Sequence, residues 1–372
     1  MPAAVVAGEQ WRAYARIGGI LLALYLFIAA IGAMAAAFNL FGREFAEAVL
    51  ETTANPLLGL FLGVLATSLV QSSSTSTSII VGMVAGGVIS VEGAIPMIMG
   101  ANIGTTITSM LVSLGHFRRP LELQRGFAAA SLHLVFNLLG VLILLPLELM
   151  TGFVSSAAVL LGQLFQDIGG MHLANPLKAA TTPTIELLAW LVGQRPVALL
   201  VLAIVLTYGM LAVIVKLLRS LMLRRLEDIF DRHIFRTPGR ALLFGLLITF
   251  AVQSSSIPTA LAIPLAAAGV IKLVQIYPFS LGANLGTTLT AILAALATAN
   301  PTAVTVAFAH LLFNVIGILI IWPVPYIRAI PLKAAKRMGE WAFRARMLPP
   351  LFVLLMYFVI PAVVVTAVHF TG

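Results

Sequence analysis

Residues 55–91 carry no charged side chain, yet their middle reads VQSSSTSTS, with an unbroken hydroxyl block at 72–78 behind one amide, Gln71. An unpaired polar group in hydrocarbon is costly, and irregular backbone at membrane depth is tolerated only inside protein or along a watery cavity. The chain is 60% hydrophobic and only 9% charged, so the bilayer is the solvent that matters. Each apolar flank of the block runs about 14 residues, too short at about 1.5 Å per residue to cross a hydrocarbon core of roughly 30 Å. The segment 56–90 is therefore expected to be a re-entrant helical hairpin with QSSS at its tip.

The same block returns later. VQSSS at 70–74 recurs at 252–256, and GANIGTT at 100–106 recurs as GANLGTT at 282–288, both offset by 182 residues. His133-Leu-Val-Phe-Asn137 and His310-Leu-Leu-Phe-Asn314 match at an offset of 177. Such ordered matches mark an internal duplication, as in many secondary transporters. The second copy predicts another hairpin at about 241–271.

Full spans are expected at about 15–39, 93–114, 126–149, 197–217, 276–298, 302–325 and 348–369. The fold class is an all-α polytopic membrane protein of two inverted repeats, each with a re-entrant hairpin and a broken helix, plus an extra C-terminal helix. Repeat 1 covers 1–149, an extracytoplasmic loop 150–196, repeat 2 197–325, and a cytoplasmic loop with the final span 326–372. With the N-terminus cytoplasmic and the C-terminus extracytoplasmic, only Arg43, Lys178 and Arg195 of the 22 Lys and Arg residues fall outside. The net charge of +9 thus marks cytoplasmic loops of an inner (plasma) membrane protein rather than a nucleic-acid surface. Residues 220–240 read as a basic amphipathic helix on the cytoplasmic surface. There is no cysteine, hence no disulfide framework or thiolate metal site.

A helix broken at the membrane midplane points free N–H groups and free carbonyls into one place. The N–H end suits an anion and the carbonyl end a cation. Ser and Thr hydroxyls serve either, and Gln adds an amide oxygen and an NH2. In GANIGTT and GANLGTT two glycines flank an Asn and paired threonines follow, which reads as a second break in each repeat. Its unwound carbonyls, with Asn102, Thr105, Thr106, Asn284, Thr287 and Thr288, would supply oxygens for Na+, and so would Ser74. Glycines 100 and 104 could instead serve helix packing, Ser76 and Ser78 could bond their own helix, and His133, His310, Asn137 and Asn314 could be satisfied interhelical contacts. No charged residue lies at 55–91 or 273–327, so a multivalent anion there needs a co-bound cation. That is a physical reason for coupling.

QSSSTST at 71–77, QSSS at 253–256, GANIGTT and GANLGTT together resemble the type II sodium/phosphate cotransporter family over roughly residues 50–325. The resemblance implies phosphate binding by Ser72, Ser73, Thr75, Ser254 and Ser255, and sodium sites at Gln71, Gln253, Ser256, Thr287 and Thr288. The chain looks like a bacterial member without the soluble helical domain that many bacterial relatives carry after the membrane part. Leu134 stands where vertebrate members have an Asp, so stoichiometry stays open.

The function expected is sodium-coupled inorganic phosphate symport by alternating access, elevator-type movement and a homodimer being compatible with it. Na+ is co-transported cargo, and there is no cofactor. The expected partners are phosphate, Na+ and the bilayer. Transport of another oxyanion, sulfate or a dicarboxylate, is the runner-up. An intramembrane serine hydrolase using a QSSS serine with His133 or His310 is disfavoured, because two equivalent nucleophiles are superfluous for that job. The chain is therefore read as no enzyme.

Overall fold

The computed structural model describes residues 3–42, 44–45, 47, 50, 55–230 and 234–371, and the described residues contain helices and no strand. Helix α1 (Ala3–Phe41) is followed by a hairpin of α2 (Pro56–Val70) and α3 (Ser73–Ala85). Next come α4 (Val91–Gly104), α5 (Ile107–Leu114), α6 (Pro120–Thr151), α7 (Phe153–Asp167) and α8 (Met171–Leu191). The second half holds α9 (Pro196–Phe230), a hairpin of α10 (Pro238–Val252) and α11 (Ser256–Ala267), α12 (Leu273–Thr298) and α13 (Pro301–Ile321). Helix α14 (Pro325–Arg344) precedes α15 (Leu348–Leu354), which passes through a π-turn at Leu355–Val359 into α16 (Ile360–Thr371). Among the described residues, seven stretches are long and apolar enough to cross a membrane, from Tyr14–Phe41 to Leu348–Val368. They coincide with the seven expected spans. The four arms of the two hairpins, 15, 13, 15 and 12 residues long, are each shorter than a span.

Local chemistry sets the arms. Asn55 caps α2, its Oδ1 accepting from Leu57 N–H at 3.0 Å, and Pro56 occupies the first helical turn. Thr237 and Pro238, the residues 182 positions on, do the same for α10, with Thr237 Oγ1 accepting from Arg240 N–H at 3.4 Å. Both arms stop at a glutamine in the left-handed conformation, Gln71 at φ 55°, ψ 27° and Gln253 at φ 56°, ψ 26°. A left-handed residue ends an α-helix because the following N–H can no longer reach back along the ladder.

Close helix packing relates α2 to α4 and α10 to α12. A Cβ on Gly100 would fall 1.9 Å from Leu60 O, and one on its mate Gly282 1.9 Å from Leu242 O. Gly63 and Gly245 are equally tight, against Met97 O and Phe279 O. Lipid tails are as apolar as leucine, so helices associate in membranes by such contact rather than by hydrophobic expulsion. The glycines of the GANxGTT motifs thus serve packing, not unwinding.

In the second repeat this corrects the expectation of a broken helix; in the first the span is divided into two helices. Leu273–Thr298 is continuous through GANLGTT. In the first repeat the joint lies at Thr105–Thr106, both still in right-handed helical geometry, and amounts to one tightened turn closed by Thr106 N–H to Ile103 O at 3.1 Å.

Three connections also differ from expectation. The segment 150–196 is two helices, with α7 packed on α13 and α8 on α1, where Tyr25 OH donates to Ala180 O at 3.1 Å. Residues 220–230 continue α9 as one helix instead of starting a separate one, while 231–233 lie outside the described residues. The region after α13 folds as α14, whose small face docks on α6: a Cβ on Gly339 would lie 2.6 Å from Gln124 O. The helices within 150–196 and α14 escaped the sequence reading because a helix apolar over only one narrow stripe gives a weak hydropathy signal.

Candidate functional site at the crossing of the hairpin tips

The two QSSS segments meet. Ser74 Oγ donates to the Gln253 carbonyl at 3.0 Å, and Ser256 Oγ donates to the Gln71 carbonyl at 3.3 Å. Ser256 is 182 positions after Ser74 and Gln253 is 182 after Gln71, so the two bonds are the same bond made twice. A two-fold relation between the halves produces such an exchange. The carbonyls used belong to the left-handed glutamines, whose oxygens have left the helix ladder and are free to accept.

Beyond each tip the second arm is built from its own hydroxyls. Thr77 Oγ1 donates to Ser73 O and its mate Thr259 Oγ1 to Ser255 O, both at 2.7 Å. Ser78 donates to Ser74 O at 2.7 Å, the helix-bonding role read for it, whereas buried Ser76 Oγ has no partner. Ser72 caps α3, accepting from Thr75 N–H at 3.2 Å and Thr75 Oγ1 at 2.9 Å. Ser255 holds the corresponding cap position of α11 without a side-chain bond, one residue later in register. Ser73, Ser74, Thr75 and Ser255 are buried, Ser72, Ser254 and Ser256 half-buried, and Gln71 exposed.

The first tip is tied to the α4–α5 joint by Thr105 Oγ1, which donates to Ser73 Oγ at 3.1 Å. Thr106 turns away, bonding Ile103 O at 2.7 Å and the buried Tyr357 hydroxyl in the π-turn. Thr287 and Thr288 donate to Asn284 O at 2.6 Å and Leu285 O at 2.7 Å, so their hydroxyl protons are spent on their own helix while their lone pairs are not.

Asn102 and Asn284 enter a buried asparagine cluster. Asn137 Nδ2 donates to Asn102 O at 2.6 Å, and Asn284 Nδ2 donates to Asn137 Oδ1 at 2.8 Å and Asn314 Oδ1 at 2.6 Å. His310 Nε2 lies 3.4 Å from Asn102 Oδ1. Asn137, Asn314 and His310 therefore connect both GANxGTT helices, the interhelical role weighed for them, whereas both ring nitrogens of buried His133 have no hydrogen-bond partner. Among the described residues no group of three His, Cys, Asp or Glu side chains is placed to hold a metal ion. The oxygens gathered here are neutral, the donor set a hard monovalent cation accepts.

A family model described as Na+/Pi-cotransporter matches residues 26–173 and 181–329. The chain belongs to that family. It is 34% identical to sodium-dependent phosphate transport protein 2A of Ovis aries over 92% of its own length and 66% of the relative's. It is 32% identical to sodium-dependent phosphate transport protein 2B of Homo sapiens, over 92% of this chain and 63% of that one. The chain thus spans just under two thirds of these relatives. No solved structure matches it. The two family-model segments fall one on each half of the duplication.

For a member of this family, two pairs of threonines missing from the sequence reading stand out. Thr67 and its mate Thr249 are fully buried with no partner for Oγ1, and so are the hydroxyls of Thr108 and its mate Thr290. Thr67 and Thr249 sit against the motif glycines: a Cβ on Gly104 or Gly286 would lie 2.8 or 2.7 Å from the threonine Cβ. Thr108 and Thr290 follow those glycines by one helical turn, on the same face. The common 182-residue offset was the available signal. Single threonines in apolar helices were passed over because most bond their own i−4 carbonyl.

Proposed function

We propose that the chain is a sodium-coupled inorganic phosphate symporter with its cargo bound between the hairpin tips. The reciprocal Ser74–Gln253 and Ser256–Gln71 bonds carry the reading, since they put both tips at one locus. The names of the relatives, sodium-dependent phosphate transport proteins, agree with it. The N–H groups at the starts of α3 and α11, with Ser72, Ser73, Thr75, Ser254 and Ser255, take phosphate oxygens. Na+ takes neutral oxygens: the Gln71 and Gln253 amides, Ser74, Ser256 and the lone pairs of Thr105, Thr287 and Thr288, with Asn102, Asn284 and Thr106 supporting the helices that hold them. Thr67, Thr108, Thr249 and Thr290 join this list, because a cation is a partner each orphaned hydroxyl oxygen lacks.

Coupling follows from charge. No Asp, Glu, Lys or Arg occurs at 55–91 or 273–327, so phosphate and Na+ neutralise each other there and neither is stable alone. The tips break to release cargo to either side, one hairpin-bearing half moving against the other. The halves, about 15–149 and 197–325, are inverted repeats with re-entrant hairpins in an inner membrane. Their N-terminus is cytoplasmic, a reading the Lys and Arg distribution supports. The protein carries out no covalent chemistry. Uptake of labelled phosphate by proteoliposomes tests this: a sodium gradient is expected to raise it at least tenfold over a potassium gradient. Equal uptake, or a faster response to sulfate or succinate than to phosphate, overturns it.

A further inference from the structure

A cavity with a cationic lining lies at the base of hairpin 2, the end away from the tips. It has a volume of about 430 Å³ and opens between α6, the end of α11 and α14. Its charged lining is Arg125, Lys272 and Lys336, with no carboxylate among the lining residues. None of the three is in an ion pair with a described residue. The three are solvent-exposed cations lining one cavity, so their mutual repulsion is modest and an anion seated among them relieves it.

The cations are not consumed in capping α11. Its last carbonyls, on Pro264, Leu265 and Ala266, already accept the N–H groups of Ala268, Val270 and Gly269. Gly269 has φ +80°, and a Cβ there would lie 2.7 Å from an Arg125 guanidinium nitrogen. The absent side chain leaves the guanidinium room to reach over the hairpin base, where its fork matches phosphate oxygens.

We propose that this cavity binds a phosphate group, carried on a lipid headgroup or free in solution, and that its occupant ties the base of hairpin 2 to α6 and α14. Basic pockets between helices on the cation-rich face of a membrane protein suit such groups. The site is remote from the tips and needs no transport to be detected.

The test uses the full chain in three forms: wild type, the cavity triple Arg125→Gln/Lys272→Gln/Lys336→Gln, and a charge-matched triple on exposed α14 positions, Lys333→Gln/Arg337→Gln/Arg344→Gln. Native mass spectrometry counts retained phosphatidic acid against phosphatidylcholine, and sodium-free equilibrium dialysis measures bound inorganic phosphate. Loss of at least tenfold in lipid retention in the cavity triple alone assigns a headgroup; the same loss in phosphate binding assigns free phosphate. Lys336→Gln alone, less disruptive to folding, is expected to lose about fivefold at about 1 kcal/mol per cation. If neither ligand weakens in the cavity triple or in Lys336→Gln, or both triples lose equally, the site does not exist.

Discussion

The hydroxyl of Ser74 at one hairpin tip donates to the carbonyl of Gln253 at the other, 3.0 Å away and 179 residues along the chain. The reverse bond, Ser256 to Gln71, repeats it from the other half at 3.3 Å. The two polar islands are therefore one locus, joined by two hydrogen bonds.

Removing either closing bond is expected to disturb the tips without unfolding the chain. Ser74→Ala or Ser256→Ala loses one hydrogen bond, worth about 1 kcal/mol. Half-saturation for phosphate uptake should rise about fivefold for each. Because the bonds share one interface, the double variant should fall short of additive. Wild-type kinetics in both variants would show that the bonds have no part in cargo binding.

The left-handed glutamines separate backbone from side-chain roles. Glycine tolerates φ near 55° at no steric cost, so Gln71→Gly or Gln253→Gly should keep or raise the melting temperature while lowering sodium-dependent uptake. Gln253→Val, forced into the same conformation, should lower both by the strain of a β-branched residue, about 1–2 kcal/mol. A Gly variant with full sodium dependence would confine the role of the glutamine to the turn.

Orphaned threonines make the sharpest contrast with ordinary membrane-helix glue. Thr249→Val and Thr290→Val replace a buried, partnerless hydroxyl with a methyl group. In sodium-free detergent they should be at least as heat-stable as wild type, since the desolvation cost of the hydroxyl disappears. In uptake assays they should need several times more sodium. A stability loss with unchanged sodium dependence would mean the hydroxyls have a partner in the fold.

The glycine contacts predict where bulk is forbidden. Gly100→Ala and Gly282→Ala bring a Cβ to 1.9 Å from a backbone carbonyl, so helices must separate. A loss of about 2 kcal/mol or more is expected, read as lower yield of folded protein and lower melting temperature. Gly239→Ala, with nothing within 4 Å, is the control and should behave as wild type.

Asn284 donates to both Asn137 and Asn314, and Asn284→Ala strands two buried acceptors. The expected cost is about 1–3 kcal/mol. A double-mutant cycle with Asn137→Ala should show coupling, because the second substitution removes an acceptor already left unpaired.

Much of the architecture was legible because bilayer thickness converts directly into residue number. An apolar run near 20 residues spans and one of about 14 does not, so α2, α3, α10 and α11 were separable from the full spans by counting. The Gln71 and Gln253 terminations were legible for a related reason: a polar block in hydrocarbon is tolerable only at a break. GANxGTT misled, since glycine beside asparagine marks an unwound helix and a close helix crossing equally well. Gly100 and Gly282 turned out to face carbonyls of Leu60 and Leu242, a fact that depends on a second helix. Helices α7, α8 and α14 were missed because their apolar stripes are narrow and interrupted by Gly, Pro or charge.

Sequence alone determined a duplicated, all-helical membrane chain whose charge-free polar blocks recur at one interval, because hydrophobic length and repetition are properties of order along the chain. Only the tertiary structure decided that Ser74 reaches Gln253, that Thr106 turns to Tyr357, and that Thr67, Thr108, Thr249 and Thr290 are left without partners. A hydrogen bond is decided by an atom some 3 Å away in space, and the neighbour that satisfies or abandons a hydroxyl can sit anywhere along the chain.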